Sequence, residues 1–518
     1  MESLYWADQI AEKIISERGK KEGYVIASGI TPSGVVHIGN FREEMTVELV
    51  KRALKDKGVE VRYIHSWDNY DRFRKVPANV PAEWAQYVGM PVSKVPDPWG
   101  CHGSYGEHFE KEFEDGAKEL GVNPEYMNET VEYESCVYAE KIKTAMNSTE
   151  KIKEILNRFR KEDLGNSWYP ATVYCPECGK DETKIIHYDG KYTVYYECNS
   201  CGKTNQINFS EEPGVKLRWR TDWAMRWAHH GVDFEPGGKD HSSPGGSRDT
   251  SSIICREIFD SFPPTYQVYN NISLKGTAGK MSGSKGNVVS LPELNSIYLP
   301  EVVRYMYAST RPKTDFSIPT DDEIFKVYED FYTAERIYFN AAKEIDKKRE
   351  AHWKRVYEMS VVEAIPDALP VQVPFKYMTY LSQFYADNDV IIQKLKESKH
   401  LGSCPSEYDL NRILKQIKCA RSWAKKYADE EYKFSLQKEK VFEPDEVHLN
   451  AIHELIATIE KNFEENDLYL IAKTSGLGKE FFKMCYKILL NKDRGPKLLD
   501  LINMIGAEKV KEILELYC

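Results

Sequence analysis

Residues 31–40, with the sequence TPSGVVHIGN, combine residue types that bind phosphate groups. Gly34 and Gly39 allow a ligand to approach the backbone closely, and His37 and Asn40 can donate hydrogen bonds. The segment also lies where a helix is predicted to begin, and the N–H groups and dipole of a helix N-terminus attract anions. The sequence therefore predicts a phosphate site here. The alternative is an ordinary strand-to-helix turn with a hydrogen-bonded histidine.

A second phosphate-binding segment is predicted at residues 275–286, immediately after a predicted strand. Its lysines include Lys280 and Lys285, and its hydroxyl side chains include Ser282 and Ser284. Lysine charge, hydroxyl groups and exposed backbone amides together suit a polyphosphate. The alternative is a flexible basic loop.

Four cysteines have the spacing of a zinc site. Cys175 and Cys178 form one CxxC pair, and Cys198 and Cys201 form another, at a separation suited to a zinc ribbon. Four thiolates complete the tetrahedron around the metal, so the predicted role is structural. The alternative is a group of free cysteines.

A second zinc site is predicted on a weaker pattern. Asp97, Cys101, His102 and His108 offer a carboxylate, a thiolate and two imidazoles within twelve residues, and all are competent zinc ligands. The alternative is a set of ordinary polar residues in an aromatic loop.

The elements that position these segments form a βαβ unit. A buried strand is predicted at 24–28, a turn at 29–34, a helix at about 40–57 and a second strand at 59–64. Ligands bind at the carboxyl edge of such a parallel sheet. The predicted fold class is α/β, a Rossmann-like doubly wound parallel sheet with a zinc-bearing insertion and a C-terminal all-helical domain.

Changes of pattern along the chain predict the domain boundaries. The predicted domains are a catalytic domain split between 1–76 and 215–290, an insertion with zinc-binding segments at 77–214, a helical connector at 291–344 and a helical domain at 345–518. In the last domain, basic side chains of a helix at 410–427, such as Arg412 and Arg421, are candidates for contact with RNA phosphates, or else form a solvated helix face.

Composition limits the class of protein. The chain has 518 residues, a formal net charge of −10 and 41% hydrophobic residues, which indicates a folded protein without a general positive field for nucleic acid. Its apolar runs are shorter than the roughly 20 residues of a membrane span. Paired CxxC motifs favour a reducing compartment. We expect a cytoplasmic protein, without membrane contact and monomeric.

In this order, the two phosphate segments resemble the HIGH and KMSKS signatures of class I aminoacyl-tRNA synthetases. Residues 29–34, 66–77 and 217–223 narrow the resemblance to the archaeal-type class I lysyl-tRNA synthetases. Two departures stand out. Asn40 replaces the final histidine of the first signature but keeps a donor, and Gly283 stands where the second signature has a lysine, a charge that Lys285 would supply.

The resemblance implies a lysine–tRNA ligase. Lysine is activated by ATP, with Mg²⁺, to lysyl-adenylate with loss of pyrophosphate, and the lysyl group is transferred to the terminal adenosine of tRNA(Lys). It also implies an anticodon-binding role for 345–518. The implied catalytic residues are His37, Asn40, Lys280, Ser282, Ser284 and Lys285, and the implied ATP-binding residues are Pro32, Gly34, His37, Gly39, Asn40, Gly238, Asp240, Lys280 and Ser282.

A lysine side chain needs an apolar or aromatic wall for its stem and acceptors or an aromatic face for its ammonium group. The candidate lysine-binding residues are Gly29, Thr31, Trp219, His241, Tyr266 and Tyr269. The partner of the ammonium group is not identified by the sequence. The alternatives are another class I synthetase, glutamyl or cysteinyl, and a catalytically silent, zinc-stabilised RNA-binding protein.

Overall fold

The computed structural model describes residues 5–275, 288–344, 346–461 and 463–518. The four predicted residues of the second phosphate segment lie outside these ranges; they are Lys280, Ser282, Ser284 and Lys285. The described chain divides into two compact units, the first comprising 1–295, 300–318 and 342–365 and the second comprising 296–299, 319–341 and 366–518.

The first unit is built on a parallel sheet. Its first strand, Gly23–Ile30, pairs with Glu60–Trp67, which pairs with Glu125–Asn128. On the other side, Ile26 bridges Phe234, and Phe234 bridges Thr265, both in parallel. The chain order across the sheet is therefore third, second, first, fourth, fifth. This is the doubly wound order. In such sheets, ligands bind in a crevice at the carboxyl ends of the strands, next to the first strand, where the strand order reverses.

The sheet is buried because helices pack against it. The helix Phe41–Lys55 follows the first strand, and its Met45, Leu49 and Val50 are fully buried. This spacing of four and one places the three side chains on one stripe of the helix. The predicted strand, turn, helix and strand of the βαβ unit are therefore all present.

The segment at 77–214 differs from the prediction in one respect. It contains the strand Glu125–Asn128, which belongs to the parallel sheet and not to a separate insertion. This strand has four residues, and their sequence carried no strong strand signal. The rest includes an antiparallel sheet of Thr183–Tyr188, Thr193–Cys198 and Thr204–Asn208, and the antiparallel pair Ala171–Val173 and Val215–Leu217 at its return to the main sheet.

Further short parallel pairs complete the first unit. They are Gly237–Gly238 with Val268–Tyr269 and Ile272–Leu274 with Phe316–Ile318. The helices of this unit are Trp6–Arg18, Phe41–Lys55, Tyr105–Glu119, Glu129–Glu134, Ala139–Asn147, Thr149–Asn157, Trp219–His230, Ser247–Glu257, Leu291–Asn295, Pro300–Ala308 and Lys347–Ser360.

The helix Lys347–Ser360 lies in the first unit, although the sequence placed it in the C-terminal domain. Long-range contacts hold it there. Arg355 pairs with Asp8 at 2.8 Å, and the buried Arg304 donates to the Met359 carbonyl at 3.1 Å. The periodicity of this segment identified a helix but not the unit that the helix packs against.

The second unit is helical in the part that the structure describes. Its helices are Ile324–Tyr338, Phe375–Phe384, Asn388–Glu397, Glu407–Lys426, Glu446–Ile459, Glu465–Thr474, Lys479–Leu490, Leu498–Ile505 and Ala507–Glu515. None of the described helices of the chain is both long enough and apolar enough to span a membrane.

Two basic residues of the helix Glu407–Lys426 were predicted to contact RNA or solvent. In the structure, both form hydrogen bonds to neighbouring segments. Arg412 is buried and donates to both carboxylate oxygens of Glu335, at 3.0 and 3.1 Å. Arg421 donates to Asn388 Oδ1 at 2.9 Å and to the Ala386 carbonyl at 2.7 Å. The buried Arg412 guanidinium is therefore not available to RNA, whereas the half-buried Arg421 guanidinium is held by neighbouring acceptors.

Candidate active site

The first phosphate segment forms an ordered turn between the first strand and the helix Phe41–Lys55. Asn40 Oδ1 accepts from the His37 N–H at 3.2 Å, and His37 Nδ1 accepts from the Gly39 N–H at 3.1 Å. Because Nδ1 is an acceptor, the neutral imidazole carries its proton on Nε2. The carbonyl of Ile38 accepts from the hydroxyl of Tyr307 at 3.0 Å. The turn thus carries an imidazole N–H and an amide NH₂, which are both hydrogen-bond donors.

These donors line an opening of about 1060 Å³, a volume that includes space open to solvent, which we call the signature cavity. Basic residues of the chain that follows the second strand form part of its wall. The lining residues are Ile30, Thr31, Ser33, Gly34, Val35, Val36, His37, Asn40, Arg72, Phe73, Arg74, Lys75 and Pro77. Arg72 is paired with Asp181 at 2.8 Å. Hydrogen-bond donors and cations in one opening suit an anionic ligand.

A second opening, of about 520 Å³ including its mouth, is walled by three indoles, and we call it the indole cavity. Trp219, Trp223 and Trp227 are spaced by four residues on the helix Trp219–His230, so their side chains share one face. Its other lining residues are Ala27, Ser28, Gly29, Glu43, Ile64, Ser66, Asp68, Arg226, His230, Val232, Glu235, Pro236, Gly237 and His241.

Glu43 brings an acidic side chain to the indole cavity. Its Oε1 accepts from the Gly29 N–H at 3.0 Å, and its Oε2 accepts from the Tyr269 hydroxyl at 2.5 Å. Burial and the neighbouring Glu44 carboxylate raise the pKa of Glu43 well above its usual range. Among the described residues, no lysine or arginine forms an ion pair with Glu43. The carboxylate is therefore suited to receive a cation from a ligand.

The arginine of the indole cavity is already neutralised. Arg226 pairs with Asp68 at 2.6 Å and with Glu129 at 3.3 Å. Nearby, Lys216 pairs with Asp71 at 3.0 Å and with Asp222 at 3.2 Å. Four largely buried carboxyl groups thus share two cations, so this group of side chains has a negative formal charge. A positively charged amino-acid side chain fits this environment, and a carboxylate side chain does not.

Glycines at the end of the fourth strand bring the backbone close to two tyrosines. A Cβ atom on Gly237 would lie 2.2 Å from the Tyr266 hydroxyl oxygen, and one on Gly238 would lie 3.4 Å from that of Tyr269. The Tyr266 hydroxyl also shares a hydrogen bond of 2.8 Å with Ser242 Oγ. The two tyrosines thus pack beneath the glycine strand and support the cavity from behind.

The predicted ligand-binding residues do not all lie in one opening. Gly29, Trp219 and His241 line the indole cavity, while Thr31, Gly34, His37 and Asn40 line the signature cavity. Tyr266 and Tyr269 support Gly237 and Gly238, and the exposed Asp240 lies in the short 3₁₀ turn Lys239–His241. Pro32 and Gly39 belong to the signature turn without lining either opening. Thr31, predicted to bind lysine, does not line the indole cavity, and its hydroxyl donates to Asp71 Oδ2 at 3.2 Å.

Sequence reasoning missed the acidic and two of the aromatic residues of the indole cavity. They are Glu43, Asp68, Glu235, Trp223 and Trp227. The spacing of Trp219, Trp223 and Trp227 by four residues was a signal for the wall. Nothing local marks Glu43 or Glu235, because each reaches the cavity only through the order of strands in the sheet.

The four predicted cysteines come together in the antiparallel part of the first unit. Their Sγ atoms all lie within 4.8 Å of one another, with Cys175 to Cys201 at 3.8 Å and Cys178 to Cys198 at 3.6 Å. A tetrahedron of Zn–S bonds of about 2.3 Å has S–S edges of roughly 3.8 Å. The donor set and its geometry therefore fit Zn²⁺.

The second predicted metal cluster is also assembled. The ligand atoms of Asp97, Cys101, His102 and His108 lie within 4.8 Å of one another. Cys101 Sγ is 3.1 Å from His102 Nδ1 and 3.3 Å from His108 Nδ1. Trp99 stacks on the His108 ring at 4.3 Å and orients it. One oxygen, one sulfur and two nitrogen donors are a suitable zinc set.

The sheet order, the signature turn and the adjoining cavities are those expected of a class I aminoacyl-tRNA synthetase. A family model described as "tRNA synthetases class I (K)" matches residues 4–363. The chain belongs to this family, as the resemblance predicted.

Relatives match the chain along nearly its full length. A lysine–tRNA ligase of Pyrococcus furiosus is 44% identical and one of Pyrococcus horikoshii is 43% identical, each covering 99% of both chains. A lysine–tRNA ligase of Borreliella burgdorferi is 41% identical over 100% of both chains.

Proposed function

We propose that this protein is a lysine–tRNA ligase. It activates L-lysine with ATP to lysyl-adenylate, releases pyrophosphate, and transfers the lysyl group to the 3′-terminal adenosine of tRNA(Lys). The observation that carries the proposal is an indole-walled, negatively charged cavity at the sheet edge that also presents the signature turn. The full-length similarity to lysine–tRNA ligases supports the same substrate.

Lysine binds in the indole cavity. Its four methylene groups lie against Trp219 and Trp223, and its ammonium group binds Glu43, whose position is fixed by Gly29 and Tyr269. The pocket disfavours the glutamyl alternative, because a second carboxylate beside Glu43 would be repelled and desolvated. His241, at the mouth of the cavity, contacts the polar end of the amino acid.

ATP binds in the signature cavity. The lysine carboxylate attacks the α-phosphorus, the bond to the β-phosphate oxygen breaks, and pyrophosphate leaves. His37 Nε2–H and the Asn40 amide donate to the phosphate oxygens as charge moves onto them, and Gly34, Gly39 and the adjoining Pro32 shape the close backbone approach. This catalysis is positioning plus electrostatic stabilisation.

Further contacts to ATP come from two loops. Gly238 and Asp240 bind the adenosine part, and Lys280, Ser282, Ser284 and Lys285 follow the phosphates during transfer. The Mg²⁺ that accompanies ATP offsets phosphate charge. The helical second unit binds the anticodon region of tRNA(Lys), and the protein acts as a cytoplasmic monomer.

The two metal clusters hold structural zinc. Cys175, Cys178, Cys198 and Cys201 fix the antiparallel insertion, and Asp97, Cys101, His102 and His108 fix the loop before the helix Tyr105–Glu119. Metal analysis of the purified protein is expected to give two zinc ions per chain. Cys198→Ser and His108→Ala are each expected to lose one. A single zinc in the wild type that His108→Ala does not remove would contradict the second site.

The test of the proposed function is pyrophosphate exchange into ATP with each of the twenty amino acids, with and without tRNA. Exchange confined to lysine supports the proposal. Exchange with another amino acid overturns the substrate, and no exchange under either condition favours the silent RNA-binding alternative. His37→Ala is the matched loss-of-function control, since it removes one donor from the signature turn.

A further inference from the structure

Glu235 is a buried carboxylate that lines the indole cavity and whose two oxygens are each bound by an indole. It is 7% exposed and lies directly after Phe234, the residue that bridges the first strand of the sheet. Glu235 Oε1 accepts from Trp223 Nε1 at 2.8 Å, and Oε2 accepts from Trp227 Nε1 at 2.5 Å. A carboxylate has about four lone-pair positions, so these two bonds leave acceptor capacity.

The two hydrogen bonds fix the orientation of the cavity wall. Trp219 and Trp223 are stacked with ring centroids 5.0 Å apart and planes 16° apart, and Trp223 and Trp227 are 4.7 Å apart. A buried indole N–H without an acceptor carries a desolvation cost. Glu235 removes this cost for two of the three rings only in the observed orientation. The flat faces that the wall offers to an aliphatic stem therefore depend on Glu235.

The charge of Glu235 has no ion-pair partner among the described residues. Arg226, the nearest arginine in the lining, is paired with Asp68 and Glu129. Arg248 stacks on Trp227 at 4.5 Å and on Tyr266 at 4.4 Å, and donates to the Pro264 carbonyl. Burial raises the pKa of Glu235, and the two indole N–H groups oppose that rise.

We propose that Glu235 is a specificity-determining residue of the lysine pocket. It orients the indole wall along the methylene groups, and its charge adds to that of Glu43 so that a neutral side chain of equal length is rejected. The inference rests on the proposed function, because it assumes that lysine occupies the indole cavity. An apolar pocket alone discriminates poorly between side chains of similar shape, whereas a buried carboxylate without a direct ion-pair partner favours a ligand that supplies a cation.

The experiment compares L-lysine with 2-aminoheptanoic acid, in which a methyl group replaces the ammonium group. Pyrophosphate exchange with tRNA present gives kcat/KM for both amino acids in the wild type and in Glu235→Gln. We expect the ratio of the two values to fall by about tenfold or more in Glu235→Gln, mainly through KM for lysine. The value for 2-aminoheptanoic acid should fall less, because a disturbed wall affects both amino acids and the lost charge affects lysine alone.

Glu114→Gln is the matched control. Glu114 accepts from Trp67 Nε1 at 3.0 Å and does not line the indole cavity. This variant therefore removes a carboxylate that binds an indole elsewhere in the same unit, and it should leave the ratio unchanged. An equal loss for both amino acids in Glu235→Gln, or no change in the ratio, would overturn the proposed role.

A second variant keeps the test decisive if Glu235→Gln does not fold. Glu235→Asp keeps the negative charge on a shorter side chain, so the ratio of the two kcat/KM values should stay within about threefold of the wild type even if both values fall. A collapse of that ratio in Glu235→Asp would show that charge is not what Glu235 contributes. If the wild type activated another amino acid in place of lysine, the proposed function itself would fail. If the wild type selected lysine and Glu235→Gln selected it equally well, only the role of Glu235 would fail.

Discussion

At the scale of single residues, Glu43 is expected to select the substrate of the indole cavity by binding its ammonium group. Replacing it by glutamine keeps the shape and one acceptor but removes the charge that meets the ammonium group. We expect Glu43→Gln to raise KM for lysine by about tenfold or more, with a smaller effect on KM for ATP. Steady-state exchange kinetics measure both constants. Glu60→Gln, on an exposed residue of the second strand, is the control, and an unchanged KM for lysine in Glu43→Gln would contradict the assignment.

The ionisation of the same residue predicts a dependence on pH. Burial and Glu44 raise the pKa of Glu43, while the Tyr269 hydroxyl and the Gly29 N–H oppose that rise. Lysine binds the carboxylate form, so KM for lysine should rise as the pH falls through the raised pKa. An ordinary glutamate, with a pKa of about 4.3, would show no such rise near neutral pH.

KM measured between about pH 5.5 and 8 tests this expectation. The dependence should be weaker in Glu43→Gln, where Glu235 and Asp68, whose pKa values burial also raises, still titrate. A flat wild-type profile, or the same steep profile in Glu43→Gln, would show that Glu43 is not the group that titrates.

At the scale of elements, the helix Tyr105–Glu119 depends on a close approach at Gly116. A Cβ atom there would lie 2.5 Å from Leu291 Cβ and 3.2 Å from Pro292 Cδ. Gly116→Ala should therefore lower the free energy of unfolding by about 1–3 kcal/mol, although alanine is the better helix former. Thermal unfolding measures the change. Gly165→Ala is the control, because nothing lies within 4 Å of its added Cβ, and equal Tm values for both variants would contradict the packing argument.

The helices and strands also show which structural features local sequence patterns can predict. Glycine positions and apolar spacing predicted the strand, turn and helix around His37 correctly, because each depends on residues within one or two turns of the chain. The strand Glu125–Asn128 was missed because its place in the sheet comes from pairing with Glu60–Trp67, which is distant in sequence. Short strands take their structure from such partners more than from their own residues.

At the scale of the whole molecule, a destabilising substitution in one compact unit is expected to leave the stability of the other unit unchanged. Arg412 and Glu335 form a buried ion pair inside the second unit. Arg412→Met leaves the Glu335 carboxylate without its cation, which should destabilise that unit by about 3–5 kcal/mol. Limited proteolysis should then cut first within 366–518, while the first unit stays intact.

Two further variants check this expectation. Lys415→Met changes an exposed residue of the same helix and should have little effect on proteolysis. Replacing both partners, as Arg412→Met with Glu335→Leu, should recover most of the loss because no unpaired buried charge remains. Equal resistance of Arg412→Met and the wild type would contradict the role of the pair.

The sequence alone determined the features of this protein that depend on local spacing. The signature turn, the two sets of metal ligands and the helical C-terminal region all follow from residue types at fixed intervals, because a turn or a chelating loop is built from neighbours in the chain. Tertiary structure decided which charges meet. Gly29, Glu43, Glu235 and Tyr269 come from four separate segments, and only the parallel strand order places them around one cavity. For the same reason Arg412, a charged residue in the sequence, is buried against Glu335. Burial and ion pairing depend on the packing of distant segments, which local periodicity does not report.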